Sequence, residues 1–322
     1  MPSTRPRTKF WHTSTISVFV LAGLLAASVS TLPLSRRWYN VQELDVAVRH
    51  PPSLRPIVSY EHFETDTRFP TAARIAHHAA SWFGHDDLGR SVFYRILPGF
   101  LVSLAIGLAA AVMAVAIGVT WGATAALAGG RVDFIMMRFV DVLYGLPYIL
   151  MVILLKVGLT RPLTMLLGGH SRGTDLVILL LAIGGVSWLT MARVIRGQVL
   201  SLRSQPFVEA ARAYGAGALH LFRRHLLPNL VGPIAVYATL VIPQAMLQES
   251  FLSFLGIGIQ QPMPSLGRLA ADGVQAVNMF VGYWWLIVFP CVVLLLTLLA
   301  LNFIGDAMRD AYDPKSKTVM LV

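Results

Sequence analysis

Two carboxylates, Asp141 and Glu249, stand within apolar runs long enough to cross a bilayer. An acidic side chain at the bilayer centre costs about 2.5–3.5 kcal/mol on insertion scales. Each is therefore expected to face a bundle interior or a wet cavity, where it either lines a permeation path or bonds one helix to another. His50, His62, His77, His78 and His85 cluster in one polar stretch, but no Cys/His pairing has zinc spacing. They read as solvent-exposed imidazoles, and no metal site is expected. The single cysteine, Cys291, lies in an apolar run and reads as a small buried residue without a disulfide partner. No Gly-x-x-x-x-Gly-Lys-Ser/Thr phosphate loop, serine elbow or His-Glu-x-x-His helix occurs. Neither catalysis nor a cofactor is expected on this chain.

The elements that must position these groups are membrane helices. Of 322 residues 56% are hydrophobic and 13% charged, and the mean hydropathy is +0.65. Soluble domains carry about 25% charged residues. The net charge of +10 sits mostly in loops, which matches membrane orientation better than a nucleic-acid face. Residues 1–35 hold Arg5, Arg7 and Lys9, then an apolar run from about Thr15 to Leu34. Twenty helical residues rise about 30 Å, enough to span, so an uncleaved first span is expected rather than a signal peptide. Residues 36–97 are polar and proline-bearing, with eight Arg against seven acidic residues, and read as an extracytoplasmic segment. Further spans are expected at about Pro98–Leu127, Phe134–Val157, Leu176–Met191, Leu230–Leu255 and Val281–Phe303. A polar linker with Lys156, Arg161, His170, Arg172 and Asp175 separates the third span from the fourth. The domain reading is thus a transmembrane core over 98–305 and a tail over 306–322. The fold class is an all-α integral membrane protein with six transmembrane helices. The loop 193–228, with six Arg and one Glu, is expected in the cytoplasm, which puts both termini there as well.

One short amphipathic stretch lies between two long apolar ones. Pro206 suits a first helical turn, and Phe207, Ala210, Ala211 and Tyr214 recur at i, i+3, i+4, i+7 on one face. Gly215 permits a turn with positive φ. A second short helix is expected to put Leu219, Phe222 and Leu226 on one side and His220, Arg223 and Arg224 on another. Pro228 is expected to open the next span. Helices this short are marginal alone, so the stretch either rests on the membrane surface or docks against a soluble partner.

Glu209-Ala210-Ala211, Gly215 and Leu227-Pro228 resemble the EAA loop of importer-type ABC transporter permeases. Phe83-Gly84-His85-Asp86-Asp87-Leu88-Gly89-Arg90-Ser91 resembles the Gly-Thr-Asp-x-x-Gly-Arg-Asp signature of the dipeptide, oligopeptide and nickel permeases (C-type subunits), with His85 in place of Thr and Ser91 in place of the second Asp. The run from Glu249 through Gly256, Gly258, Pro262 and Pro264 to Gly267 and the end from Gly305 to Pro314 are similar to the same family. The resemblance implies a permease subunit forming half of the translocation pathway of an ATP-driven importer for peptides or a similar small solute, in a bacterial-type inner membrane. It implies that the 206–226 loop is the coupling helix, with Phe207, Glu209, Ala210, Ala211, Gly215, Leu227 and Pro228 in contact with or positioning the ATPase. The implied partners are a second homologous permease, two ATPases that bind the ATP and Mg, an extracytoplasmic substrate-binding protein, and lipid. Two other classes stay open on the residues alone: a secondary transporter relaying ions through Asp141 and Glu249, and a non-transporting membrane scaffold. The substrate is not legible.

Overall fold

Hydrocarbon leaves no partner for a free backbone N–H or C=O, so spanning segments must close their hydrogen bonds internally. The computed structural model meets this with helices throughout. It describes residues 7–33, 35, 39–42, 48–55, 78–168, 172–276 and 282–312, with side chains from residue 15 on and excepting Arg172. Arg5, His62, His77, His170 and the Asp313-Pro314 end of the tail lie outside the described residues. The helices are α1 (Arg7–Ser30), α2 (Val92–Ala128), α3 (Gly130–Tyr144), α4 (Tyr148–Leu166), α5 (Arg172–Arg203), α6 (Pro206–Ala213), α7 (Ala218–Leu221), α8 (Leu227–Phe254), α9 (Leu266–Ala276) and α10 (Trp285–Tyr312). A π-wound turn over Phe222–Leu226 joins α7 to α8. Five segments are long and apolar enough to cross a membrane: Val92–Ala128, Tyr148–Leu166, Gly173–Arg203, Ala218–Phe254 and Trp285–Tyr312. The apolar part of α1, Thr15–Ser30, is shorter than these.

The expected third span, Phe134–Val157, is instead two elements. Gly145 caps α3, and Pro147, with ψ at 121°, precedes α4 without a donor N–H. The cause is legible in composition. Arg131, Asp133, Arg138 and Asp141 put four charges on the 15 residues of α3, too many for hydrocarbon. The apolar length is recovered downstream, so Lys156 and Arg161, expected in a linker, belong to α4. Helix α2 starts at Val92, ahead of the expected Pro98, and α10 runs past residue 305 to Tyr312. Helix α9 lies where no helix was expected. Ser265 follows Pro262 and Pro264, and its Oγ accepts the Arg268 N–H at 3.0 Å, an N-cap. Cys291 is exposed rather than buried.

The chain divides into two compact units. The first comprises Met1–Ser17, Ile106–Ala245 and Leu301–Val322, and the second Val18–Ala105 and Met246–Ala300. In the first, α2 and α5 pack backbone against backbone. A Cβ on Gly118 would lie 2.6 Å from the Met191 Cβ and 2.9 Å from the Trp188 carbonyl oxygen, and one on Gly122 would strike the Ala192 carbonyl oxygen. Small residues allow this approach, and dispersion over the contact replaces the hydrophobic drive that lipid removes. Gly122→Val should therefore destabilise the folded chain by about 1–3 kcal/mol, the usual cost of overpacking. A lower melting temperature in detergent is the expected result; an unchanged one would mean the helices can separate freely there.

Candidate functional site

In the first unit, the stretch after α5 folds back on the α2–α5 contact. Pro206 occupies the first turn of α6 behind an extended Gln205. At the other end the Ala216 N–H donates to the Ala211 carbonyl at 3.1 Å and the Gly215 N–H to the Arg212 carbonyl at 2.9 Å. These are the paired bonds of a Schellman ending, which needs a left-handed residue at the position Gly215 fills. Gly215 has φ +83°, and a Cβ there would meet nothing within 4 Å. Any penalty for a side chain is thus backbone strain rather than a clash.

Val208, wholly buried, anchors α6 in a cluster with Val119, Ala123, Met191, Ile195, Val199, Leu221, Leu226 and Leu230. Burying one such side chain is worth about 1.5–3 kcal/mol, which offsets part of the weakness of an eight-residue helix. Ala211 packs partly against the same cluster. Phe207, Glu209 and Ala210 are exposed, as is Tyr214, at 93%. The face taken from the sequence is therefore mostly the outward one, and the buried anchor is Val208. A similar correction holds for α7. Leu221, not Leu219, packs with Leu226, because the i to i+5 winding of Phe222–Leu226 brings residues five apart onto one side. Leu219 is exposed, Leu227 is half-buried, and Pro228 stands exposed in the first turn of α8.

Two ion pairs tie α5 to α3 near this region. Arg196 holds Asp133 through Nε and Nη2, each at 2.6 Å. Arg193 Nη2 reaches Asp141 at 2.8 Å and its guanidinium lies 4.0 Å from the centre of the Tyr144 ring. Asp141 thus sits exposed on α3, a separate charged helix outside the five membrane-length helices.

Glu249, in the second unit, has no exposed surface. Its carboxylate accepts hydroxyl hydrogens from Ser103 at 2.9 Å and from Ser253 and Ser265 at 2.7 Å. Each serine oxygen in turn accepts a backbone N–H: Leu266 at Ser103, Ile259 at Ser253, Arg268 at Ser265. The carboxylate fixes the direction of three hydroxyls and through them the start of α9. A buried charge is tolerated only with such full satisfaction.

The Gly84–Ser91 loop lies in the same unit. Asp86 Oδ1 accepts the Leu88 and Arg90 N–H groups, both at 2.9 Å, and Oδ2 accepts Arg90 Nε at 2.8 Å and Arg95 Nη1 at 2.5 Å. Ser91 Oγ donates to the Ala80 carbonyl at 2.6 Å. His85, expected to be solvent-exposed, is fully buried. Its two ring nitrogens have no hydrogen-bond partner, and its carbonyl accepts the Trp285 indole N–H at 3.3 Å. Among the described residues no group of three His, Cys, Asp or Glu side chains is placed to hold a metal ion.

Residues 114–318 match the family described as the binding-protein-dependent transport system inner membrane component. The dipeptide transport system permease protein DppC of Bacillus subtilis is 46% identical over 237 residues, 74% of this chain and 69% of that protein. The oligopeptide transport system permease protein OppC of Escherichia coli K12 is 39% identical over 265 residues, 82% of either chain. This chain belongs to that permease family. A solved structure of the MetNI methionine ABC transporter, in an inward-facing conformation, matches 68% of this chain and 97% of its own with a TM-score of 0.54 at 19% identity, which shows a common fold.

As a binding-protein-dependent permease, the chain is a multi-pass inner-membrane subunit of an ABC importer, and the single-chain relay and the scaffold fall away. The His85 substitution in the permease signature then has a measurable signature of its own. Burial first, and the nearby His50 second, hold the His85 imidazole down to about 4 from its ordinary 6.5, against a smaller opposing pull from Asp86. The unfolded chain therefore takes up the proton first as pH falls. The contribution to stability is complete above pH 6.5 and is lost towards pH 4, a loss on the order of 3 kcal/mol. His85→Thr should flatten the fall of melting temperature across that window; an equally steep fall in the variant would show that other groups cause it.

Proposed function

We propose that this permease carries peptides or a similar small solute inward and that α6, Gly215 and α7 form its dock for the ATPase. The relatives named for dipeptide and oligopeptide transport support the solute class. The observation that carries the docking role is the division of labour on α6. Val208 is spent on the interior while Phe207, Glu209, Ala210 and Tyr214 are left outside on a helix held firmly at both ends. The small side chain of the exposed Ala210 lets another surface approach the α6 backbone closely. Basic His220, Arg223, Arg224 and His225 surround the following turn, as expected of a cytoplasmic loop.

The full assembly in this reading has a second related permease, two ATPases that bind ATP and Mg, and an extracytoplasmic binding protein that delivers the solute. Both chain termini are then cytoplasmic, and 36–97 faces the other side. ATP-driven closure of the ATPases moves 206–226, and the helices anchored by Val208, Leu221 and Leu226 reorient with it. Leu227 and Pro228 set the start of α8 behind the dock. Asp141 and Glu249 serve as structural groups here, because Arg193 pairs with one oxygen of the first and three serines take up both oxygens of the second.

Gly215→Val forces a β-branched residue into a left-handed turn at about 1–2 kcal/mol, and Ala211→Trp adds bulk between α6 and its support. Both variants should insert normally yet copurify with less ATPase, or show hydrolysis no longer stimulated by the binding protein in vesicles. Gly215→Asn, which tolerates the left-handed region, should keep most of the activity. Normal copurification, stimulation and uptake in the Val and Trp variants would refute the docking role.

A further inference from the structure

Aromatic rings in the second unit form one row from the segment ahead of α2 to the start of α10. Trp82 meets Phe93 edge-on with ring centres 5.5 Å apart, and Phe93 meets Phe83 at 5.3 Å. Phe83 stacks on Phe289 at 4.2 Å, and Phe289 meets Trp284 at 5.9 Å. The phenylalanines are half-buried, whereas the indoles at the two ends are exposed, Trp82 at 42% and Trp284 at 53%. Ring packing accounts for the middle of the row but not for two indoles left outside.

The surroundings of the row change from charged to aliphatic. Beside Trp284, the Tyr283 ring takes the Arg49 guanidinium at 4.8 Å from its centre, and Arg49 pairs with the exposed Asp87. In the other direction runs α10, whose Val288 N–H donates to the Trp284 carbonyl at 2.9 Å. Val288, Cys291, Val292, Leu295 and Leu299 are all exposed, and their spacing of i, i+3, i+4, i+7, i+11 puts them on one face. Thr297, the hydroxyl residue of this stretch, is buried and donates to the Val293 carbonyl at 2.7 Å. From Trp284 to Leu299 the stripe covers about 22 Å, most of a hydrocarbon core about 30 Å thick. The wall of an aqueous path needs polar groups, and the exposed side of α4 carries one in Arg161. Close helix packing within lipid favours small residues, yet the stripe is mostly Val and Leu. Charged, then aromatic, then aliphatic is the order a bilayer boundary selects, because an indole is apolar over its body and polar at one edge.

We propose that Trp82 and Trp284 anchor the second unit at the headgroup level of the bilayer and that the α10 stripe beyond them faces acyl chains. The partner of this surface is lipid rather than another subunit. The anchor holds the Gly84–Ser91 loop, with buried His85 and Asp86, at the membrane boundary instead of in a projecting domain. The assignment of this boundary to the outer leaflet rests on the topology proposed above; the anchor itself does not.

The test uses the assembled transporter, its partner subunits made free of cysteine, in right-side-out membrane vesicles. Cys291 is the chain's one cysteine and takes a nitroxide label without any substitution. In a Cys291→Ser background, Trp82→Cys, Trp284→Cys, Val288→Cys and Leu295→Cys carry the label in turn. Power saturation then compares collisions with oxygen, which dissolves in hydrocarbon, and with a hydrophilic nickel chelate, which does not. The oxygen-to-nickel ratio should rise in the order 284, 288, 291, 295, about tenfold over roughly 16 Å of helix. The label at position 82 should match that at 284. Frequent nickel collisions at 291 and 295 would reveal a water-facing wall, and few collisions with either reagent a face covered by protein; both outcomes overturn the proposal. A ratio at 82 and 284 as low as that of a nitroxide free in buffer would place the indoles in water and overturn the anchor. Ascorbate added outside separates the two readings. It should reduce the label at 284 quickly, whereas slow reduction with the depth gradient intact would overturn the topology and leave the anchor standing.

Discussion

The seating of Val208, Leu221 and Leu226 against α2 and α5 decides what the rest of the first unit can do. An eight-residue helix has too few internal bonds to persist alone. Its order comes from a neighbour, and the neighbour can come so close only because Gly118 and Gly122 let α2 meet α5 without intervening side chains. A change in that helix pair is consequently felt at α6. The same seating leaves the opposite side of α6 free, with Phe207, Glu209 and Tyr214 outward. Mechanical coupling requires both properties together: a firm inner attachment and a free outer face.

The second unit is governed by electrostatics instead. Two carboxylates act as hubs there, and each is fully engaged in a different way. Asp86 gathers two backbone N–H groups and two guanidinium groups, which shapes the loop that precedes α2. Glu249 gathers three hydroxyls that relay its direction to backbone amides around α9. Removing one partner from such a network exposes the others to a desolvation cost without compensation. Both networks therefore specify geometry more than they add stability.

Much of this was legible in the sequence, and the failures have physical reasons. Positive φ at Gly215, the helix opened by Pro206 and the membrane-length helices near α2, α5, α8 and α10 followed from local chemistry that tertiary contacts did not override. The third span was misplaced because apolar content outweighed the four charges of α3 and the break at Gly145-Leu146-Pro147. The buried face of α6 was misread because its small outward residues mimic an inner stripe. On α7 the π-wound turn changed the period on which the reading relied. Helix α9 was missed although Ser265 after the proline run carried a capping signal. The burial of His85 had no local signal at all, since it depends on segments distant in sequence, such as Trp285.

The central claim is that the exposed side of α6 is held against the ATPase and follows its cycle. With Cys291→Ser removing the one native thiol, Tyr214→Cys places a thiol at the most exposed point beside α6. The measurement is cysteine cross-linking from that position to the copurified ATPase, with and without ATP, in membranes sealed against an impermeant thiol reagent on the outside. The account predicts a cross-link to the ATPase whose yield changes on ATP binding and that the outside reagent does not block. No cross-link to the ATPase, together with labelling of the Tyr214→Cys variant from outside, would contradict it.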